Sequence, residues 1–224
     1  MKRAFLLLLL LAGYMQPASA SFAMEATPER MQLAATYGRL GIEHILLGFD
    51  HLLFVFALIL IVRNRRVLVV TVTAFTIAHS ITLALAILGV VHMSGRPVEA
   101  MIALSILLLA IEIVRIERGV PSMTARWPWV IAFTFGLLHG FGFASALSEI
   151  GLPHGDVLLA LVSFNIGVEL GQLGFIAAVL GTFALARRIP FPAMAVRHVL
   201  PTATYVIGAL AAFWFVDRVA AFWT

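Results

Sequence analysis

The chain has 224 residues, 62% of them hydrophobic and 12% charged, with a mean hydropathy of +1.05 and a formal net charge of +4. A water-soluble domain of this size has too little core to hide so much apolar side chain, so the bilayer is the expected solvent. There is no cysteine, which excludes disulfides and thiolate metal sites, and the basic residues sit in short clusters between apolar runs, a topology signal rather than a nucleic-acid one.

Residues 1–20 read as a cleaved signal peptide: Lys2 and Arg3 at the start, an apolar stretch from Phe5 to Leu11, then Ala18-Ser19-Ala20. Residues 21–40 are modestly amphipathic, with Pro28 suited to a first helical turn and Met31, Leu33 and Leu40 among polar neighbours. They predict a short external or interfacial helix. Residues 41–224 are expected to form an all-α membrane domain of six helices, at roughly 41–62, 67–92, 97–117, 128–149, 157–186 and 200–220. Each is long enough for the ~20 apolar residues that cross a bilayer.

The linkers alternate in charge. Arg63, Arg65 and Arg66 follow the first span, Arg115, Arg118 and Arg126 surround the third loop, and Arg187, Arg188 and Arg197 follow the fifth. The remaining loops, Met93–Pro97 and Gly151–Asp156, are rich in Gly and Pro and poor in arginine. The positive-inside rule then places both mature termini on the external side of a bacterial inner membrane, with Trp214, Arg218 and Trp223 as an aromatic interfacial end.

Several of these apolar segments carry groups that oil does not favour. A charge at the bilayer centre costs ~2.5–3.5 kcal/mol on insertion scales, so such groups are usually paired, cavity-facing and functional. His44 and His51 are seven residues apart, as are Glu43 and Asp50. On one continuous helix each pair would be ~20° apart around the axis and ~10.5 Å along it. Counted from the segment ends, His51, His79, His139 and Glu169 all fall near the membrane centre. Asn165, Glu169 and Gln172 share one face of the fifth span, and Thr76 and Ser80 accompany His79. Gly136 and Gly140 flank His139, and Gly167 and Gly171 flank Glu169, in a spacing that lets helices approach closely. Taken singly, an intramembrane histidine is as often a packing residue, and Asn165 and Gln172 are more often interhelical glue. Three histidines with Asp50 and Glu169 at one depth exceed what packing requires. Convergence on one site is the expectation that follows.

The motifs that carry this chemistry resemble those of the HupE/UreJ family, and together its second subgroup. They are Gly41-Ile42-Glu43-His44-Ile45-Leu46-Leu47-Gly48-Phe49-Asp50-His51-Leu52-Leu53, Ala74–Ser80 around His79, Phe135–Gly142 around His139, and Phe164–Gln172 around Glu169. The resemblance covers nearly the whole mature chain. It implies a link to hydrogenase and urease maturation and, by way of the name-giving branch, to nickel uptake. In that branch the later motif carries two His-Gly pairs followed by Glu, whereas this chain has only His139-Gly140. The departure leaves the ion open among Ni²⁺, Co²⁺ and Zn²⁺.

The leading expectation is a permease for Ni²⁺ or a similar divalent ion. Its metal-binding set would be His44, Asp50, His51, His79, His139, Asn165 and Glu169, supported by Glu43, Thr76, Ser80 and Gln172. Its partners would be the lipid bilayer, the ion and, through the family link, metallocentre-assembly proteins, with no nucleic acid. Two other readings stay open. One is an intramembrane Zn²⁺ hydrolase, although no HExxH motif is present; the other is a metal-binding accessory protein that does not transport.

Overall fold

The computed structural model describes residues 27–144, 147, 155–189 and 193–223. The expected signal peptide, residues 21–26, and residues 145–154 apart from 147, which include the end of the expected 128–149 span, lie outside them. A compact unit spans Leu33–Thr224, preceded by a unit of Met1–Gln32 in which the Arg30 amide donates to Thr27 Oγ1 at 3.3 Å.

The described chain is helical: α1 Pro28–Leu47, α2 Phe49–Ile61, α3 Arg65–Ile87, α4 Gly95–Glu117, α5 Met123–Arg126, α6 Pro128–Gly142, α7 Val157–Ala186 and α8 Ala193–Ala220. Local chemistry sets several boundaries. The Asn64 side chain accepts from the Arg66 and Val67 amides and so caps the start of α3. Gly89 and Gly119, at φ of 71° and 72°, turn the chain just beyond α3 and α4. Pro128 opens α6, where a missing amide hydrogen costs nothing. Buried hydroxyls of Thr71, Thr76 and Thr82 bond carbonyls four residues back, which satisfies them without leaving the helix.

Among the described residues, four helices are long and apolar enough to cross a membrane: α3, α4, α7 and the His198–Ala220 part of α8. The α1–α2 pair adds a fifth crossing if counted together, but it is bent by 72°. The 128–149 segment is helical over Pro128–Gly142, 15 residues, ~22 Å of helix and short of a full crossing. Large apolar side chains remain exposed along α3 and α7, among them Ile77, Ile81, Ile166 and Leu170. The chain is an all-α membrane bundle.

The bend corrects the expectation of one continuous first span. Gly48 sits between the two helices with φ −80° and ψ 93°, a conformation open to any residue. Space is what demands glycine there, because a Cβ would lie 2.7 Å from the His44 carbonyl and 2.8 Å from His51 Nδ1. Glycine also allows close helix contact elsewhere. A Cβ on Gly140 would collide with the His79 carbonyl and the Thr82 hydroxyl, joining α6 to α3. One on Gly41 would collide with the Phe164 carbonyl, joining α1 to α7. The helix-to-helix distances that matter at the site are set by these absent methyl groups.

Candidate metal centre

Four histidines from four helices meet where α1 breaks into α2. His44 ends α1, His51 lies in the first turn of α2, His79 comes from α3 and His139 from α6. The ring centroids of His44 and His51 are 4.5 Å apart, those of His51 and His139 5.3 Å, and those of His44 and His79 6.0 Å. The expected ~10.5 Å separation of His44 and His51 along a straight helix is therefore overturned by the bend. The bend also makes His51 the third residue of a new helix, α2, rather than a point along one continuous span. One potential ligand atom from each of His44, His51 and His79 lies within 4.8 Å of the others.

Hydrogen bonds fix which ring nitrogen is free. His51 Nδ1 is 3.0 Å from Asp50 Oδ1, and His139 Nδ1 is 2.8 Å from the Phe135 carbonyl. Both partners only accept, so each Nδ1 carries the hydrogen. His79 Nδ1 is 3.3 Å from Asn165 Oδ1, while the Asn165 amide donates to the Leu161 carbonyl at 2.8 Å. The same assignment follows. Three imidazoles thus present Nε2 lone pairs, and the Nε2 atoms of His44, His51, His79 and His139 are all buried with no hydrogen-bond partner.

An unsatisfied buried polar atom costs about 1–3 kcal/mol, so four together need a compensating ligand. Imidazole nitrogens held by second partners through Nδ1 are a donor set for a borderline divalent metal, Ni²⁺, Co²⁺, Zn²⁺ or Cu²⁺. The surroundings keep water away. The Phe143 ring lies 4.0 Å from that of His44 and stacks on Phe164 at 5.1 Å, while Phe75 and Phe54 lie 5.0 and 5.3 Å from His139.

The remaining expected ligands divide from this group. Asp50 binds the His51 ring and its backbone amide, at 2.9 Å for the latter, and so orients a ligand. Asn165 does the same for His79. Glu169 accepts from Thr73 Oγ1 at 2.5 Å, and its other oxygen is buried without a partner. With Thr73, Thr76, Ser80 and Asn165 it lines a cavity of about 540 Å³ between α3 and α7. Gln172 accepts from Thr76 at 3.1 Å, and Ser80 donates to the Thr76 carbonyl at 2.6 Å. Glu43 pairs with Arg39 at 2.7 Å on an exposed face.

Residue patterns alone missed three participants. Thr73 is one of many hydroxyls in an apolar helix. Phe143 looks like ordinary core. Arg218, read as an interfacial anchor, instead places Nη2 3.8 Å from Asp50 Oδ2.

The motifs around His44, His51, His79 and His139 supply the four unpartnered nitrogens, and the sequence profile described as HupE / UreJ protein matches residues 19–218. This chain belongs to the HupE/UreJ family. Comparison with curated proteins and with solved structures finds no match. Within this HupE/UreJ protein, the family motifs are the segments that carry the histidine cluster and the helix break beside it.

Proposed function

We propose that this HupE/UreJ protein is a permease of the bacterial inner membrane for a divalent transition metal ion, with Ni²⁺ the favoured cargo, serving metalloenzyme maturation. The observation that carries the reading is the convergence of four buried, unpartnered Nε2 atoms from four helices. His44, His51 and His79 hold the ion as substrate, and His139 stands beside His51 to receive or share it. Asp50 and Asn165 orient His51 and His79 by accepting from Nδ1, as outer-shell partners of metal-binding histidines commonly do. Neutral imidazoles replace water around the ion without locking it behind several fixed negative charges. That suits a site that must release what it binds.

The arginine distribution puts the external side at the mature N-terminus, so the cluster near the start of α2 faces the external half of the bilayer. Entry of a dication down an inside-negative potential is favoured by ~4.6 kcal/mol per 100 mV.

The deciding experiment is uptake into proteoliposomes of Ni²⁺, Co²⁺, Zn²⁺, Cu²⁺ and Mn²⁺, with His51→Ala beside wild type. Selective uptake by wild type, reduced at least tenfold in the variant, is expected. Stoichiometric metal retention without uptake of any ion would sink the permease and point to a metalloenzyme or an accessory protein.

A further inference from the structure

Arg218 sits between two carboxylates. Its Nη2 is 3.8 Å from Asp50 Oδ2, and its Nε is 3.8 Å from Glu99 Oε2. Nη1 donates to the Glu99 carbonyl at 2.9 Å, and the guanidinium lies over Trp214 at 5.8 Å from the ring centre. Close by, Arg96 Nη1 donates to the Ala221 carbonyl at 2.7 Å, so the start of α4 and the end of α8 are tied twice. The Arg218 and Asp50 side chains are 23% and 21% exposed. Neither is screened as a free surface pair would be.

Asp50 is therefore shared. Oδ1 serves the ligand His51, taking both its ring and its backbone hydrogen, while Oδ2 faces the guanidinium. A carboxylate that accepts from an imidazole Nδ1 makes Nε2 a better donor to metal. A cation on the same carboxylate draws that charge away and also repels an arriving dication. Glu99 gives the guanidinium a second carboxylate to rest on, its Oε2 3.8 Å from Nε.

We propose that Arg218 is a positioning residue that sets the affinity of the histidine site, a tethered cation competing with the metal for the charge of Asp50. Without it the site would hold its ion too tightly to pass it on, since conduction needs binding favourable enough to enter and weak enough to leave. Metal arrival favours movement of the guanidinium from Asp50 toward Glu99, which links occupancy of the site to the contact between α4 and α8. The inference rests on the reading that the histidines bind the transported dication.

Two variants test it with opposite signs. In the full chain in lipid nanodiscs, Arg218→Gln is expected to bind Ni²⁺ about tenfold more tightly, since the dication no longer meets a unit positive charge beside Asp50. Its uptake rate in proteoliposomes falls, because release slows. Glu99→Gln, at an exposed side chain, leaves the guanidinium to Asp50 alone, and Ni²⁺ binding weakens. In the Asp50→Asn background the Arg218→Gln shift shrinks, because only the direct repulsion between guanidinium and dication remains to be removed. A merely structural role would weaken binding in both single variants. That result, unchanged affinity in either, or an equal shift without Asp50, overturns the proposal while the permease stands. A wild type that binds none of Ni²⁺, Co²⁺ and Zn²⁺ overturns the permease reading and this inference together.

Discussion

At Gly48 the backbone turns and the site is made by the same residue. A methyl group there would lie 2.7 Å from the His44 carbonyl, 2.8 Å from His51 Nδ1 and 3.3 Å from Asp50 Oδ1. The residue's φ of −80° imposes no glycine requirement, so Gly48→Ala acts through crowding rather than through backbone strain. The groups that must yield are the His44 carbonyl and the His51 ring, whose Nδ1 is held by Asp50. Metal affinity is expected to drop about 10–100-fold, as when an outer-shell partner of a metal ligand is lost. Titration of the purified variant checks this, and an affinity equal to wild type would separate the His51–Asp50 contact from binding. The polar residues of the site were legible in sequence because oil makes them conspicuous: His44, Asp50, His51, His79 and His139 stand out from apolar neighbours. The distance between His44 and His51 was not legible. A glycine within an apolar run is compatible with a straight helix, and only the collision its side chain would make reveals the bend.

At the level of elements, packing at glycine decides whether His79 and His139 meet. Helices α3 and α6 pack most extensively of all pairs, and Gly140 lets the α6 backbone pass against the His79 carbonyl and Thr82. Gly140→Val forces the helices apart in a packed interior, a change that typically costs about 1–3 kcal/mol. Thermal melting in detergent should show a lowered Tm together with loss of uptake. Gly181→Ala in α7 is the control, because a Cβ there meets nothing within 4 Å. That substitution is expected to leave Tm equal or raise it, as helical Gly→Ala does by roughly 0.5–1 kcal/mol. Equal effects of the two would show that close approach at Gly140 is not what holds α3 to α6. The small-residue spacing around His139 and Glu169 pointed to such contacts in advance. It could not say which partner each glycine met, since Gly136 and Gly140 face α3 while Gly167 faces the Gly38 backbone of α1. The pairing of Glu169 with Thr73 was hidden for the same reason. Depth along a span can be counted from sequence, but the direction a side chain faces depends on which helix lies beside it.

Across the whole molecule, a permease of the proposed kind needs only the membrane potential to make one direction of metal movement downhill. No nucleotide-binding motif is present in the sequence, and nine arginines, Arg63, Arg65, Arg66, Arg115, Arg118, Arg126, Arg187, Arg188 and Arg197, cluster at the ends of the expected first, third and fifth spans. With those arginines inside, the histidine cluster lies toward the external face, and the potential acts on the ion over the remaining path to the other side. A uniport of this kind reaches equilibrium when the ion gradient balances the voltage. For a dication at 60 mV, inside negative, that is about a hundredfold accumulation. Proteoliposomes carrying a potassium gradient and valinomycin should therefore accumulate Ni²⁺ to about that ratio, and lose it when potassium is made equal on both sides. Uptake that ignores the voltage but follows an imposed pH gradient would instead require proton exchange. Glu169, its second oxygen buried without a partner, would then be the first residue to substitute. Voltage-driven accumulation that survives Glu169→Gln but not His51→Ala would assign transport to the histidine cluster and leave the α3–α7 cavity outside the ion's path.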